Sequence, residues 1–419
     1  MQRFDLKMST ISSAQDEQRQ LDLAGDTASP SGTVGLLAGA WPEAASHTVL
    51  DSTGRMCGKV EPAALVSILI PAHNAEEWIG DAIRSAIAQT WPRIEIIIVD
   101  DGSTDGTLAI ARRFESQGVQ VAAQRSQGAA AARNKAFSLS HGDYIQWLDA
   151  DDLLAPDKIA RQMEVVQQGA SKRTLLSSAW APFMFRASRA QFMPSPLWCD
   201  LSRLEWLLRK MEQNIYMQTA TWLVSRELTE AAGPWDIRLL GDDDGEYFCR
   251  VLLASDGVRF VPDARVYYRA LRSDSLSCIG VSRKKIAAHW ISMQLHIRYL
   301  RSLEDSPRTR AACLQFLRDS LIYFYPESLE IVSQAEKIAT GLGQSLGAPN
   351  LSWKYSWIRA LFGWRVAKSV QRASTRLRWS LARHFDKALF EIENLQHSSP
   401  GFETGGRQAV SAGPIAPHA

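Results

Sequence analysis

The chain has 419 residues, 46% hydrophobic and 22% charged, and its 47 Lys and Arg against 45 Asp and Glu leave a formal net charge of +2. This is a globular composition with length for two or three domains, which excludes a wholly disordered chain, and the near-neutral balance gives no footing for a nucleic-acid binder. Five cysteines stand far apart without a CxxC pair, which argues against a disulfide framework or zinc knuckle and points to a reducing cytoplasm, and no apolar run reaches the roughly 18 residues of a membrane span.

Residues 1–62 are rich in Ser, Ala, Gly, Gln and Asp without sustained periodicity and read as a disordered leader. From Val66 the text changes. VSILIPA is a continuous apolar strand, and AEEWIGDAIRSAIAQ carries apolar residues at helical spacing. Strand IEIIIVD follows, then a helix that Thr104 or Asp105 would cap before LAIARRF. VQVAAQ predicts a third strand, GAAAARNKAFSLS a small-residue helix and DYIQWLD a fourth strand. This alternation predicts an α/β fold with a mostly parallel sheet and flanking helices, its strands covered on both faces. Residues 157–235 mix helices with aromatic-rich loops, and FVPDARVYYR (260–269) reads as a late strand pair. From Ser282 to Phe324 the pattern is helical, 351–385 is basic and rich in Trp, and the end from His397 is a Pro, Gly and Ser tail.

Two of the strands run into acids, in IIIVDDGSTDG (96–106) and YIQWLDADD (144–152). Adjacent carboxylates repel unless a cation or hydrogen-bond donors meet them. Ligands bind parallel α/β sheets at the carboxyl ends of the strands. Asp100, Asp101, Asp149 and Asp151 therefore mark a hard-oxygen site suited to Mg²⁺ or Mn²⁺. An Asp/Gly turn would explain a lone DDGSTDG. A calcium loop fits Asp101, Ser103, Asp105 and Gly106 but fails at Arg112, where a Glu is needed. Helix capping accounts for Asp152 or Asp157 and leaves Asp149 unexplained. The Gly-rich signatures of dinucleotide and P-loop sites are absent. A third acidic run, Asp242, Asp243, Asp244 and Glu246, stands ahead of a helix. Its crowding should raise at least one pKa, which suits a catalytic base, with plain capping as the alternative.

PAHN (71–74), DDGSTD (100–105), GAAAARN (128–134) and DADD (149–152), in this order and spacing, resemble the family 2 glycosyltransferases, inverting enzymes with the GT-A fold. The resemblance covers Leu65 to Arg269. It implies a GT-A domain over 63–280, while the residue pattern beyond it predicts a helical C-terminal region over 281–395 and a disordered tail over 396–419. By motif it implies that Pro71, Ala72 and Asn74 line the nucleotide pocket and that one of Asp100 and Asp101 binds the base edge. Arg133 would lie near the donor, and Asp149 and Asp151 would hold ribose and a Mg²⁺ or Mn²⁺ ion on the diphosphate. Aligning Arg250 puts Asp243 and Asp244 on the family's acidic pair, with Asp244 as base. VYYRALRSDSLS (266–277) lacks the His many members carry there, so Arg269 or Arg272 would serve the phosphates. The implied reaction moves a sugar from a nucleotide-sugar donor to a hydroxyl of a glycan or lipid-linked acceptor, with inversion, in the cytoplasm. A non-catalytic, membrane-docked scaffold would show eroded acids, yet every motif carboxylate is present. A nucleotidyltransferase would carry a Gly-rich first loop with Arg and Lys, and PAHNAEEW has neither.

Segment 351–385 contains no acid, and Ile358, Phe362, Val366, Val370, Leu377 and Leu381 form a stripe at helical spacing among its Lys, Arg and Trp residues. A basic amphipathic helix of this kind predicts an anionic membrane surface as a partner. The alternative is a helix packed on the catalytic domain with its bases in solvent.

Overall fold

The computed structural model describes residues 63–270, 282–347, 349 and 351–398; the expected leader, most of the tail and segment 271–281 with Arg272 lie outside the described residues. Its strands are β1 (Val66–Ala72), β2 (Ile94–Asp101), β3 (Val119–Gln124), β4 (Tyr144–Trp147), β5 (Leu153–Leu154), β6 (Thr174–Phe183), β7 (Val224–Ser225) and β8 (Gly257–Arg269). One sheet has the order β3-β2-β1-β4-β7, parallel except for β7, which runs antiparallel to β4. The connecting helices are α1 (Ile79–Ile87), α2 (Thr107–Arg112), α3 (Ala129–Leu139), α4 (Lys158–Gln167), α5 (Arg203–Glu212), α6 (Arg226–Ala232) and α7 (Asp243–Ala254).

The apolar strands serve two cores because successive side chains point to opposite faces. Leu69, Ile97 and Val99 join one cluster with Ala132 and Ala136 of α3. Ile68, Ile70, Ile96 and Ile98 join the other with Ala82 and Ile83 of α1 and Ile159 of α4. Pro71 pairs in register with Val99 and Ala72 with Asp100, which brings the first acid pair to the carboxyl end of β1. Neither expected residue is the cap of α2, which is Gly106: Asp105 accepts from the backbone N of Thr107 at 3.0 Å one residue earlier, and Thr104 is bonded to Asn74.

A second sheet has the order β5-β8-β6. Here the structure corrects two expectations. The late strand pair is one 13-residue strand, β8, whose register against β6 jumps from Ser178–Val261 to Ala179–Arg265. Pro262 lies in that jump, where its missing N–H costs no ladder bond, and this is what reads as a turn in the sequence. The mixed helix-and-loop region also contains the long strand β6, buried at Leu175, Leu176 and Ala181 by tertiary packing that no local period announces.

Helices α8 (Arg283–Leu303), α9 (Pro307–Phe324), α10 (Leu329–Gly341) and α11 (Ser356–Ser398) complete the chain. The helical stretch 282–324 is two helices because Ser306 and Thr309 form a capping box with Pro307 at the first turn of α9. Met293, Leu300, Phe316 and Leu317 enter the same core as Trp222 and Phe248, so α8 and α9 continue that core. α11 breaks at Gly363, whose φ is 78°. Of the expected apolar stripe only Ile358 is buried; Phe362, Val366, Val370, Leu377 and Leu381 face solvent.

Candidate active site

At the ends of β1 and β2 the backbone is laced together by short polar side chains. Asn74 adopts φ 47°, its Oδ1 accepts from Thr104 N at 2.8 Å, and its own N donates to Ser103 Oγ at 3.0 Å. Pro71 and Ala72 are buried just before it. Gly102 leaves β2 at φ 69°, where a Cβ would stand 2.7 Å from Ser126 N, so only glycine fits.

The two acids that end β2 have separate fates. Asp101 Oδ1 accepts from Gln124 Nε2 at 2.8 Å and Gln127 N at 2.9 Å, and its Oδ2 accepts from Gly128 N at 2.7 Å. It thus closes the 124–128 loop and faces the N-terminus of α3, where negative charge is favoured. Asp100 is 2% exposed; its Oδ2 accepts from Ser103 N at 3.1 Å, but its Oδ1 is buried with no partner among the described residues. A buried carboxylate oxygen without a donor is costly. Asp100 is therefore the better candidate for reading a bound base, and Asp101 is a fastener.

One turn into α3, Arg133 gathers the other two acidic runs. Its Nη2 donates to Asp149 Oδ1 at 2.8 Å and its Nη1 to Asp243 Oδ2 at 2.7 Å. The guanidinium lies 4.3 Å over the ring of Trp235, which stacks on Tyr247 at 4.0 Å. Burial works against the charge of Arg133, but the carboxylates of Asp149 and Asp243 outweigh it and hold its proton more tightly than usual. Sequence reasoning placed Arg133 near the donor and missed that it joins strand end to helix. Trp235, in GPWD ahead of the third acidic run, was also missed; its signal was only that an aromatic residue stands there.

The remaining acids sort by partner. Asp152 is fully buried, accepting from Arg269 N at 2.8 Å and from Gln218 Nε2, and burial followed by the charges of Asp151 and Asp149 pushes its pKa well up. Asp242, at φ 59°, accepts from Ser292 Oγ of α8 at 2.7 Å. Glu246 pairs with Arg250 at 2.8 Å and accepts from Tyr299 Oη at 2.6 Å. Asp244, half-buried on the first turn of α7, makes no salt bridge among the described residues and has the Thr219 hydroxyl 3.5 Å from its Oδ2. Burial, then the charges of Asp243 and Asp242, push its carboxyl up to about 6. Burial also raises Asp243, against the pull of Arg133.

Arg269 does not join this group. Its guanidinium sits between the rings of Trp78 and Phe183 at 4.4 and 4.5 Å. It donates to Asp151 O at 2.8 Å, Met184 O at 3.3 Å and Asp81 Oδ2 at 3.2 Å, and its side chain is 4% exposed. In this arrangement it braces the loop bearing Asp151 from behind. Among the described residues no three His, Cys, Asp or Glu side chains converge as a metal cage. Asp149 and Asp151 nonetheless fit the donor set of Mg²⁺ or Mn²⁺, which takes one or two protein carboxylates and completes its shell with phosphate oxygens and water.

Residues 67–174 match Glycosyl transferase family 2. Over 107 residues the chain is 39% identical to TuaG of Bacillus subtilis, named as a teichuronic acid biosynthesis glycosyltransferase, covering 25% of this chain and 42% of TuaG. It is 40% identical over 104 residues to WfaP of Escherichia coli, named a UDP-Glc:alpha-D-GlcNAc-diphosphoundecaprenol beta-1,3-glucosyltransferase, covering 25% of this chain and 41% of WfaP. The chain thus spans about two-fifths of the length of these curated relatives. The structure of S. aureus TarS residues 1–349 in complex with UDP-GlcNAc superposes with a TM-score of 0.55 at 16% identity, over 67% of this chain and 82% of that one. Residues 67–174 are therefore similar to a family 2 glycosyltransferase domain, and the expected GT-A fold with a helical C-terminal region is borne out.

Proposed function

We propose that this family 2 domain transfers a sugar from a nucleoside-diphosphate sugar to a hydroxyl acceptor with inversion and with a divalent cation. The observation that carries the reading is Asp244. It is a half-buried carboxylate raised to about 6, set one residue past Asp243 in the cluster that Arg133 ties to Asp149. At neutral pH such a group is mostly ionised yet more basic than an ordinary Asp, as a general base requires.

In this reading the orphaned Oδ1 of Asp100 accepts an N–H from the base edge, at the end of a pocket begun by Pro71, Ala72 and Asn74. Asp149 orients the ribose. Asp149 and Asp151 would hold a Mg²⁺ or Mn²⁺ ion, which when bound neutralises charge on the departing diphosphate. Asp244 takes the proton of the acceptor hydroxyl as its oxygen bonds to the anomeric carbon. The bond from that carbon to the diphosphate oxygen breaks on the opposite face, inverting the centre. Arg133 keeps Asp243 compensated and so moderates the rise that Asp243 imposes on Asp244.

The printed names of WfaP and TarS point to UDP-sugars as the first donors to test, and WfaP's to a lipid-linked glycan as acceptor. Polysaccharide biosynthesis and a cytoplasmic site of action fit that chemistry, as do the unbridged Cys199, Cys249 and Cys313. Hydrolysis of a panel of nucleotide-sugars by the full chain, with Mn²⁺ and with chelator, tests the reading. Turnover of one donor that requires the cation and collapses in Asp244→Asn is expected. A panel without turnover, or turnover indifferent to Asp244, overturns it.

A further inference from the structure

α11 carries a face that the fold leaves uncovered. Leu361, Val366, Val370, Leu377, Leu381 and Phe385 are between 38% and 71% exposed. Past the break at Gly363, a rotation of about 100° per residue puts positions 366, 370, 377, 381 and 385 on one side of the helix. The opposite side is the one that packs. Lys368, 1% exposed, donates to Tyr325 O at 2.7 Å and pairs with Glu327 at 2.6 Å. Farther along, Asp386 and Glu393 both pair with Arg186, and Asp386 also accepts from Phe185 N at 2.9 Å. The helix is thus anchored by its polar side with its apolar side outward, the reverse of an ordinary surface helix.

The charges say what covers that side. The same rotation puts Arg378 about 75° from the middle of the stripe on one side and Arg376 about 125° from it on the other, both exposed, while Arg383 turns toward the anchored side. No acid stands between 351 and 385. The three acids that follow are already paired, Asp386 and Glu393 with Arg186 and Glu391 with Lys387. A second copy laid stripe to stripe would set base against base, whereas an anionic surface neutralises both flanks at once. No helix of the described residues is long and apolar enough to cross a membrane. Exposed Trp353 and Trp357, just before the break, are the residue type that favours a lipid–water boundary.

We propose that α11 lies in the plane of an anionic lipid surface, with the 366–385 stripe in the acyl boundary and the flanking bases among the headgroups. Such binding combines buried apolar area with attraction of bases to anionic lipid. The seat is coupled to the cleft: Asp386 holds Phe185 N, and Arg269 bonds both Met184 O and Asp151 O. Docking α11 therefore fixes the acid loop relative to the membrane, as a lipid-linked acceptor would need.

Co-sedimentation of the full chain with phosphatidylcholine vesicles, with and without phosphatidylglycerol, tests this independently of catalysis. Binding to the anionic vesicles alone, weakening as salt rises, is expected. Arg376→Gln with Arg378→Gln should weaken it by about 25-fold, at about 1 kcal/mol per base. Leu377→Gln with Leu381→Gln should weaken it by about tenfold or more through lost apolar burial. Both variants should keep the parental melting temperature and donor turnover, since these side chains are exposed. The proposal is overturned by an absence of anionic-vesicle binding, by equal binding to neutral vesicles, or by both variants binding like the parent. A dimer by light scattering that the leucine variant dissociates also overturns it, since a second copy would then be the occupant. Donor turnover is read separately, so either proposal can fail alone.

Discussion

Each acid at this site takes its role from what touches it. Asp244 has no salt-bridge partner among the described residues and a raised pKa, so Asp244→Asn should slow transfer by about a hundredfold or more while leaving donor affinity unchanged. In the parent, kcat should fall as pH drops through about 6, because the base is protonated there, and the variant should lose that limb. Asp100 and Asp101 should separate cleanly. Asp100→Asn should raise the donor KM with little change in melting temperature. Asp101→Ala should cost about 2 kcal/mol or more in denaturant unfolding, because the amides of Gln127 and Gly128 lose their acceptor. Arg133→Met leaves Asp149 and Asp243 uncompensated and should lower stability by about 3–5 kcal/mol, abolishing turnover with it.

Among the elements, α7 and α11 show how placement follows from a few polar ties. The first turn of α7 presents Asp243 and Asp244 because Asp242, in a left-handed conformation, is held by Ser292 of α8. For α11 the tie is Lys368, whose ammonium meets Glu327 and the carbonyls of Tyr323 and Tyr325. Lys368→Ala should loosen α11 without unfolding the catalytic core. Limited proteolysis should then cut within 356–398 faster than in the parent, with the main melting transition unmoved. A parental digestion rate would show that the Arg186 pairs alone seat the helix.

At the level of the entire fold, both hydrophobic clusters are complete by Leu346, and no residue of α11 belongs to either. A chain ending at 350 should therefore fold, with a cooperative thermal transition and donor turnover like the parent's, while losing any vesicle binding. Loss of the transition in that truncation would mean that the few buried residues of α11, Ala367 and Lys368 among them, close the core.

The alternating pattern of strands and helices from Val66 to Trp147, the two acidic runs at strand ends and the third ahead of a helix were legible in the sequence. Continuous apolar runs and small-residue helices are local signals, and like charges at strand ends are conspicuous because they repel. Local signals could not divide the labour within each run. Asp100 and Asp101 differ by one residue, and only the fold of the 124–128 loop over Asp101 makes one a fastener and leaves the other an unmet oxygen. Asp244 could be suspected as base from crowding, but its pKa is set first by burial in the fold and then by Asp243 and Asp242, while Arg133, which reaches Asp243 across 110 residues of chain, pulls it back. β6 and the single long β8 escaped because burial there comes from strands distant in sequence, and Arg269 because its rings and carbonyls come from three separate loops. The stripe on α11 was visible as a period, while which side faces outward was decided by Lys368 and Asp386, since ion pairs reaching across the chain set the helix's rotation.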